Sequence, residues 1–185
     1  MNPLVKSGIG FALAWCLIKY ISYLIQPMPE NIIPLVLINI LFLLLAIAVG
    51  LFIHKRAETE ESNALNDIKN GLKAGLPYTV IVSIFIYLFY NNINPEYNQH
   101  QIVELETSFE KAVNNPEELA LIKSNNEDFE VMNKEEILAE LKKGPREFYA
   151  AGSTMTLSLL AMLMMSTLYS IFVTAVYRKV LFRRL

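Results

Sequence analysis

Apolar residues fall in four long blocks along this chain, and a polar, acidic stretch separates the third from the fourth. Residues 32–53 hold 22 positions with Asn39 the one strongly polar side chain. At 1.5 Å per residue a helix of that length reaches about 33 Å, enough to cross a hydrocarbon core of about 30 Å. Residues 148–177 are 30 positions without a formal charge, so that helix must tilt or project beyond the lipid. Residues 76–90 (LPYTVIVSIFIYLFY) gain length from Leu72, Ala74 and Ile93. Pro77 is read in the first turns of that span, where a missing amide costs least, and so as its start and not a kink.

The first block, residues 3–25, carries Lys6 at its start and Lys19 inside. Ala12-Leu13-Ala14 has the look of a signal-peptide cleavage site. The apolar character nevertheless continues through Trp15, Leu17, Ile18, Ile21 and Leu24, and Trp15 before Cys16 is too bulky for lipoprotein cleavage, so this block is expected to remain as a span. Because backbone amides in lipid must be satisfied within their own segment, each span is expected to be helical. The predicted fold is an all-α integral membrane protein, with four transmembrane helices and a helical extracytoplasmic insertion between helices 3 and 4. Its parts are residues 1–54 (helices at about 3–25 and 32–53), a cytoplasmic amphipathic elbow at 55–73, a third helix at 74–93, an acidic periplasmic insertion at 94–147, a fourth helix at 148–177 and a basic cytoplasmic tail at 178–185.

Charge sets the expected orientation. Lys6, Lys55, Arg56, Lys69, Lys73, Arg178, Lys179, Arg183 and Arg184 fall on one side, against Lys142, Lys143 and Arg146 near the span ends on the other. Nine bases against three put both termini in the cytoplasm. The connection 92–147 then lies outside with 13 acids and six bases. Tyr20, Tyr23, Tyr87, Tyr90 and Tyr149 are expected as interfacial anchors at the outer ends, with Tyr78 and Tyr177 at the inner ones.

In the elbow, residues 60–73, Leu65, Ile68 and Leu72 make one helical stripe with Asp67, Lys69 and Lys73 off it, as in a helix lying on the inner surface. Gly71 and Gly75 form a GxxxG that carries little weight at a membrane edge. The outer insertion reads as two or three helices. Pro95 opens one, with Ile102, Leu105, Phe109, Ala112 and Val113 at helical spacing, and Asn115-Pro116-Glu117-Glu118 opens another. The last is expected at 134–143, with Asn133 as cap, Glu136 closing a capping box, Met132 and Ile137 as a staple and Gly144-Pro145 as the stop. With few apolar groups, these stripes are expected to pack on one another and on the outer end of span four.

Composition narrows the chemistry. The 185 residues are 54% hydrophobic and 18% charged with a mean hydropathy of +0.35, too apolar for a water-soluble domain. Net charge is −2, and no basic block is long enough to track a phosphate backbone, which argues against nucleic acid. Cys16 is the single cysteine, and His54 and His100 are predicted on opposite sides of the membrane, so no zinc or Cys/His site assembles in one chain. There is no Gly-rich phosphate loop, GxSxG or HExxH, and the outer acids lack calcium-loop spacing. Neither enzymatic activity nor a cofactor is expected.

Within the spans, Lys19 and Asn39 are each about 10 Å below the outer boundary and Ser158 about 13 Å. They define a candidate intramembrane polar cluster. The competing and favoured reading has Lys19 snorkelling to the outer headgroups and Asn39 bonding across a helix interface. Span four has Ser166, Ser170 and Thr174 at four-residue spacing, a candidate helix-packing face. Its methionines Met155, Met162, Met164 and Met165 read as gap fillers before copper(I) ligands, because Met162, Met164 and Met165 do not share a face.

The run Ile68-Lys69-Asn70-Gly71-Leu72-Lys73-Ala74-Gly75 and the exit Tyr90-Asn91-Asn92-Ile93-Asn94-Pro95-Glu96-Tyr97 resemble a bacteroidete family of small four-helix inner-membrane proteins grouped as a domain of unknown function. Relatives tend to have Asp where this chain has Asn94. The resemblance implies a Gram-negative inner membrane with the insertion in the periplasm, and brings no catalytic or binding residues with it. The expected role is a non-catalytic accessory or assembly subunit. Its partners are the lipid bilayer and either another membrane protein or a second copy, met through the insertion and the face of helix 4. The alternative is a small-solute or ion transporter using the region of Lys19 and Asn39.

Overall fold

A computed structural model describes residues 2–28, 32–57 and 63–181. The acids and bases expected at Glu60, Glu61, Arg183 and Arg184 lie outside those residues. In order the elements are α1 (Pro3–Ile25), α2 (Ile33–Ala57), α3 (Ala64–Leu88, prolonged by a π-helical turn, Phe89–Ile93), α4 (Pro95–Asn114), α5 (Pro116–Ser124), α6 (Glu127–Glu130), α7 (Lys134–Phe148) and α8 (Ala151–Val176, prolonged by a π-helical turn, Tyr177–Leu181). No strand occurs among the described residues. Among the described residues four helices are long and apolar enough to cross a membrane: Pro3–Ile25, Ile33–Ala57, Ala64–Ile93 and Ala151–Val180.

Asparagine sets most of the helix starts. Asn2, Asn94, Asn115, Asn126 and Asn133 each turn a side-chain oxygen onto a backbone amide of the following turn, and Pro follows at the first helical position after Asn2, Asn94 and Asn115. The capping box at α7 forms as its sequence predicts: Glu136 N donates to Asn133 Oδ1 and Asn133 N to Glu136 Oε2, both at 2.9 Å. The expected stop does not operate. α7 runs through Gly144-Pro145 to Phe148, with Tyr149 N closing onto Pro145 O at 2.9 Å and Arg146 tied to Glu106. A proline removes one amide and leaves its carbonyl able to accept, so cross-helix contacts carry the helix one turn further.

From Ala64 onward the elbow and the third span are likewise one uninterrupted helix. Pro77 is therefore not in the first turns but inside α3, where the carbonyl of Lys73 loses its i+4 amide donor.

The chain divides into two compact units, one of Met1–Ile86 and Met155–Leu185, the other of Tyr87–Thr154. In the first, polarity is inverted relative to a water-soluble bundle. On α3 the buried positions are Asp67, Asn70, Gly71, Ala74, Gly75, Tyr78, Thr79, Val82, Ser83 and Ile86, while Leu65, Leu76, Val80 and Ile84 are exposed. Of the elbow's apolar stripe Leu65 is exposed, and of the residues off it Asp67 is buried while Lys69 and Lys73 are exposed. A bilayer favours this arrangement, because lipid tails are as apolar as leucine and helices associate instead through close packing and hydrogen bonds.

In the second unit α4 and α7 run antiparallel. Arg146 Nε lies 2.6 Å from Glu106 Oε1, and Lys142 Nζ lies 2.6 Å from Glu110 Oε1 and 3.8 Å from Glu106 Oε2. Asn98 Nδ2 donates to Tyr149 O at 2.7 Å. Ile137 and Val113 are buried in this unit. Lys123 Nζ donates to the carbonyls of Met132 (2.8 Å) and Glu130 (3.3 Å), folding α6 back toward the end of α5.

Candidate functional site

The candidate packing face of span four is used inside the chain. A Cβ placed on Gly75 would collide with Ser166 Oγ, and one on Gly71 would lie 2.8 Å from Ser170 Oγ and 2.9 Å from Ser170 Cβ. Stepping four residues along each helix keeps the antiparallel register, and one further step reaches Asp67 and Thr174, both buried. Ser166, Ser170 and Thr174 therefore face α3 and not a partner protein. The GxxxG given little weight is their counterpart. Gly8 of α1 approaches the backbone of Ala74 so closely that a Cβ would strike its carbonyl oxygen, and a Cβ on Gly50 of α2 would lie 3.2 Å from Ala74 Cβ and Ser7 Cβ. Small residues on all four helices thus make one narrow waist.

Of the hydroxyls at this waist, Ser170 Oγ donates to Ser166 O at 2.8 Å and Thr79 Oγ1 to Gly75 O at 2.9 Å. Ser166 Oγ, Thr174 Oγ1 and, further along α3, Ser83 Oγ are buried without a hydrogen-bond partner. At these three positions the side chain serves by its small volume.

A second constellation surrounds Asn39. Tyr78, fully buried, donates its hydroxyl to Asn39 Oδ1 at 2.6 Å, with Asn39 O also at 3.0 Å, and Asn39 Nδ2 reaches Met162 Sδ at 3.6 Å. Tyr78 is thus a core residue and not an inner interfacial anchor. Asn39 does bond across helix interfaces. Lys19 is 8% exposed and shares the buried face of α1 with Leu4, Gly8, Ala12, Trp15 and Cys16, so it is enclosed and not extended to the surface as snorkelling requires. Ser158 is half-buried on α8, one turn before Met162. Asn39 is therefore joined to Tyr78 and Met162. Met162 is buried and Met164 exposed, on different faces of α8.

Sequence reasoning missed the third constellation. Asp67, 1% exposed, is approached by Lys55 Nζ from α2 at 3.0 Å and by Arg178 Nε from α8 at 3.3 Å. It is the one carboxylate among the described residues of its unit. A carboxylate on the supposed solvent face of an amphipathic helix gave no warning of burial. The available signal was an acid one turn before the GxxxG. Beside this cluster Lys73 Nζ donates to Asn70 Oδ1 at 3.0 Å, Tyr177 Oη to Ala48 O at 2.8 Å, and the Arg56 guanidinium stands 5.8 Å from the Phe52 ring centroid.

Among the described residues, no group of three or more His, Cys, Asp or Glu side chains is placed to hold a metal ion. Cys16 is a free, buried thiol, and His100 is on α4, 4.0 Å from Glu104.

No curated protein and no solved structure matches the chain. A family model described as a protein of unknown function, DUF4199, matches residues 6–179. That match spans nearly the whole sequence, including both runs that carry the resemblance, and the chain therefore belongs to the DUF4199 family of proteins of unknown function.

Proposed function

We propose that the chain is a non-catalytic multi-pass protein of the inner membrane with both termini cytoplasmic, and that it acts as an accessory or assembly subunit. In this reading residues 94–147 stand in the periplasm and meet another membrane protein. The excess of bases at the expected inner span ends supports the orientation. The observation that carries the function is how the second unit uses its charges. Lys142, Lys143 and Arg146 are engaged by Glu106, Glu110 and Glu140 within the unit. Most of its 13 acids therefore face outward uncompensated, beside Val131 at 90% exposure. An acidic surface with an apolar point suits a partner with a basic, partly apolar face. Because α3 occupies the small-residue face of α8, this reading rests on the acidic unit and not on that face.

Photo-crosslinking in cells from a probe at Val131 tests this reading. A recurrent stoichiometric protein adduct is expected, and adducts confined to lipid or to the chain itself would overturn it.

The enclosure of Lys19 favours a second reading, a small-solute or ion transporter using Lys19, Asn39 and Ser158, since ionisable groups enclosed within spans commonly mark solute paths. Solute flux in liposomes that is lost in Lys19→Leu supports it, and the absence of flux for the unaltered protein removes it.

A further inference from the structure

Charge and aromaticity converge where α2 and α8 end together. Tyr177 binds the Ala48 carbonyl, and its ring lies 6.3 Å from that of Phe52. Arg56 stands over the Phe52 ring, and Arg178, next in sequence to Tyr177, reaches Asp67 together with Lys55. Lys55 and Arg178 thus share one carboxylate from two helices, with Arg56 next in sequence to Lys55 and exposed Lys179 next to Arg178. Arg178 keeps 35% of its side chain exposed. Above Arg56, at spacings of three and seven, Ile53 and Val49 form an exposed apolar stripe on α2, and Leu168 and Phe172 do the same on α8.

We infer that this basic cluster binds the phosphodiester of an anionic phospholipid, with the lipid's acyl chain lying along the exposed stripe. Guanidinium groups present planar forks matched to phosphate oxygens, and a cation held over an aromatic ring loses little freedom when it binds. The position is also right: Arg56 follows an apolar run long enough to cross the hydrocarbon, which puts it at headgroup level. Basic pockets between spans at that level select acidic headgroups. A free phosphate has the same charge chemistry but nothing for the apolar stripe to hold, so the lipid is the occupant. The inference rests on the bilayer reading and not on any protein partner.

Native mass spectrometry of the full-length chain in mild detergent, given an equimolar mixture of phosphatidylglycerol and phosphatidylcholine, tests it. Phosphatidylglycerol should be retained preferentially. Arg56→Gln and Lys179→Gln should each lower the preference about five-fold, at roughly one basic side chain's worth of attraction. Lys134→Gln, on α7, should leave it unchanged. Equal retention of the two lipids, or an unaltered preference in both variants, overturns the proposal. Displacement of the lipid by millimolar inorganic phosphate shows a free-phosphate site and overturns it too. Release of the chain by carbonate washing would instead defeat the bilayer reading itself.

Discussion

Gly75 of α3 and Ser166 of α8 are so close that a single added carbon on Gly75 would overlap the Ser166 hydroxyl oxygen. Gly75→Val should therefore force the helices apart and cost about 2 kcal/mol or more, the scale of overpacking a filled interface. Gly10, with nothing within 4 Å of an added Cβ, should accept Ala and gain helix propensity. Thermal unfolding of the two variants in the same detergent should separate them in opposite directions.

Ser166 itself should tolerate Ala. Its hydroxyl is buried without a partner, so removing it abolishes no bond and relieves a desolvation cost. Unfolding of Ser166→Ala is expected at or slightly above the unaltered protein's temperature, with Ser166→Leu well below.

Asp67 holds α2, α3 and α8 at one point. Asp67→Asn removes the carboxylate that Lys55 and Arg178 share, and should cost about 3 kcal/mol, as for a broken buried pair. The double change Lys55→Met with Asp67→Leu should recover part of that loss. Unfolding titrations of the single and double variants measure the coupling.

Tyr78→Phe should cost about 1 kcal/mol by removing the hydroxyl that binds Asn39, while leaving ring packing intact. The same assay checks it, and a change no larger than that of an exposed Leu168→Phe would count against the bond.

The acidic unit should respond to pH through Glu106. The hydrogen bond from Arg146, aided by the charges of Arg146 and Lys142, holds the Glu106 carboxyl below the ordinary carboxylate range. A carboxyl whose folded value is depressed contributes its stability above the unfolded value of about 4.3 and loses it as pH falls through the folded value. α4 and α7 should thus stay paired at neutral pH and loosen only as pH falls below the ordinary carboxylate range. In Arg146→Gln the Glu106 midpoint should return toward 4.3, a shift that carboxyl NMR resolves.

The apolar spans and the Asn133 capping box were legible in the sequence because each is a local property: a run length, or a side chain three residues from the amide it caps. What was not legible depends on other helices. Ser166, Ser170 and Thr174 announce a packing face, but nothing on α8 says that Gly71 and Gly75, about 95 residues earlier, are what packs there. Leu65, Ile68 and Leu72 mark an amphipathic helix, but nothing in that stripe says that Asp67 and Asn70 beside it are buried. Asp67 needed two partners from distant segments to explain its burial. Gly144-Pro145 is a sound local stop overruled by contacts across to α4.

α2 has the least polar sequence of the four long helices, yet side chains of the other three hydrogen-bond to it. Ser7 and Trp15 reach the carbonyls of Ala46 and Leu35, Tyr78 that of Asn39, and Tyr177 that of Ala48. A helix gripped by its main chain can trade one aliphatic side chain for another unnoticed, whereas the gripping hydroxyls and indole cannot be exchanged so freely. Sequence drift in this protein should therefore concentrate on its hub and spare the spokes.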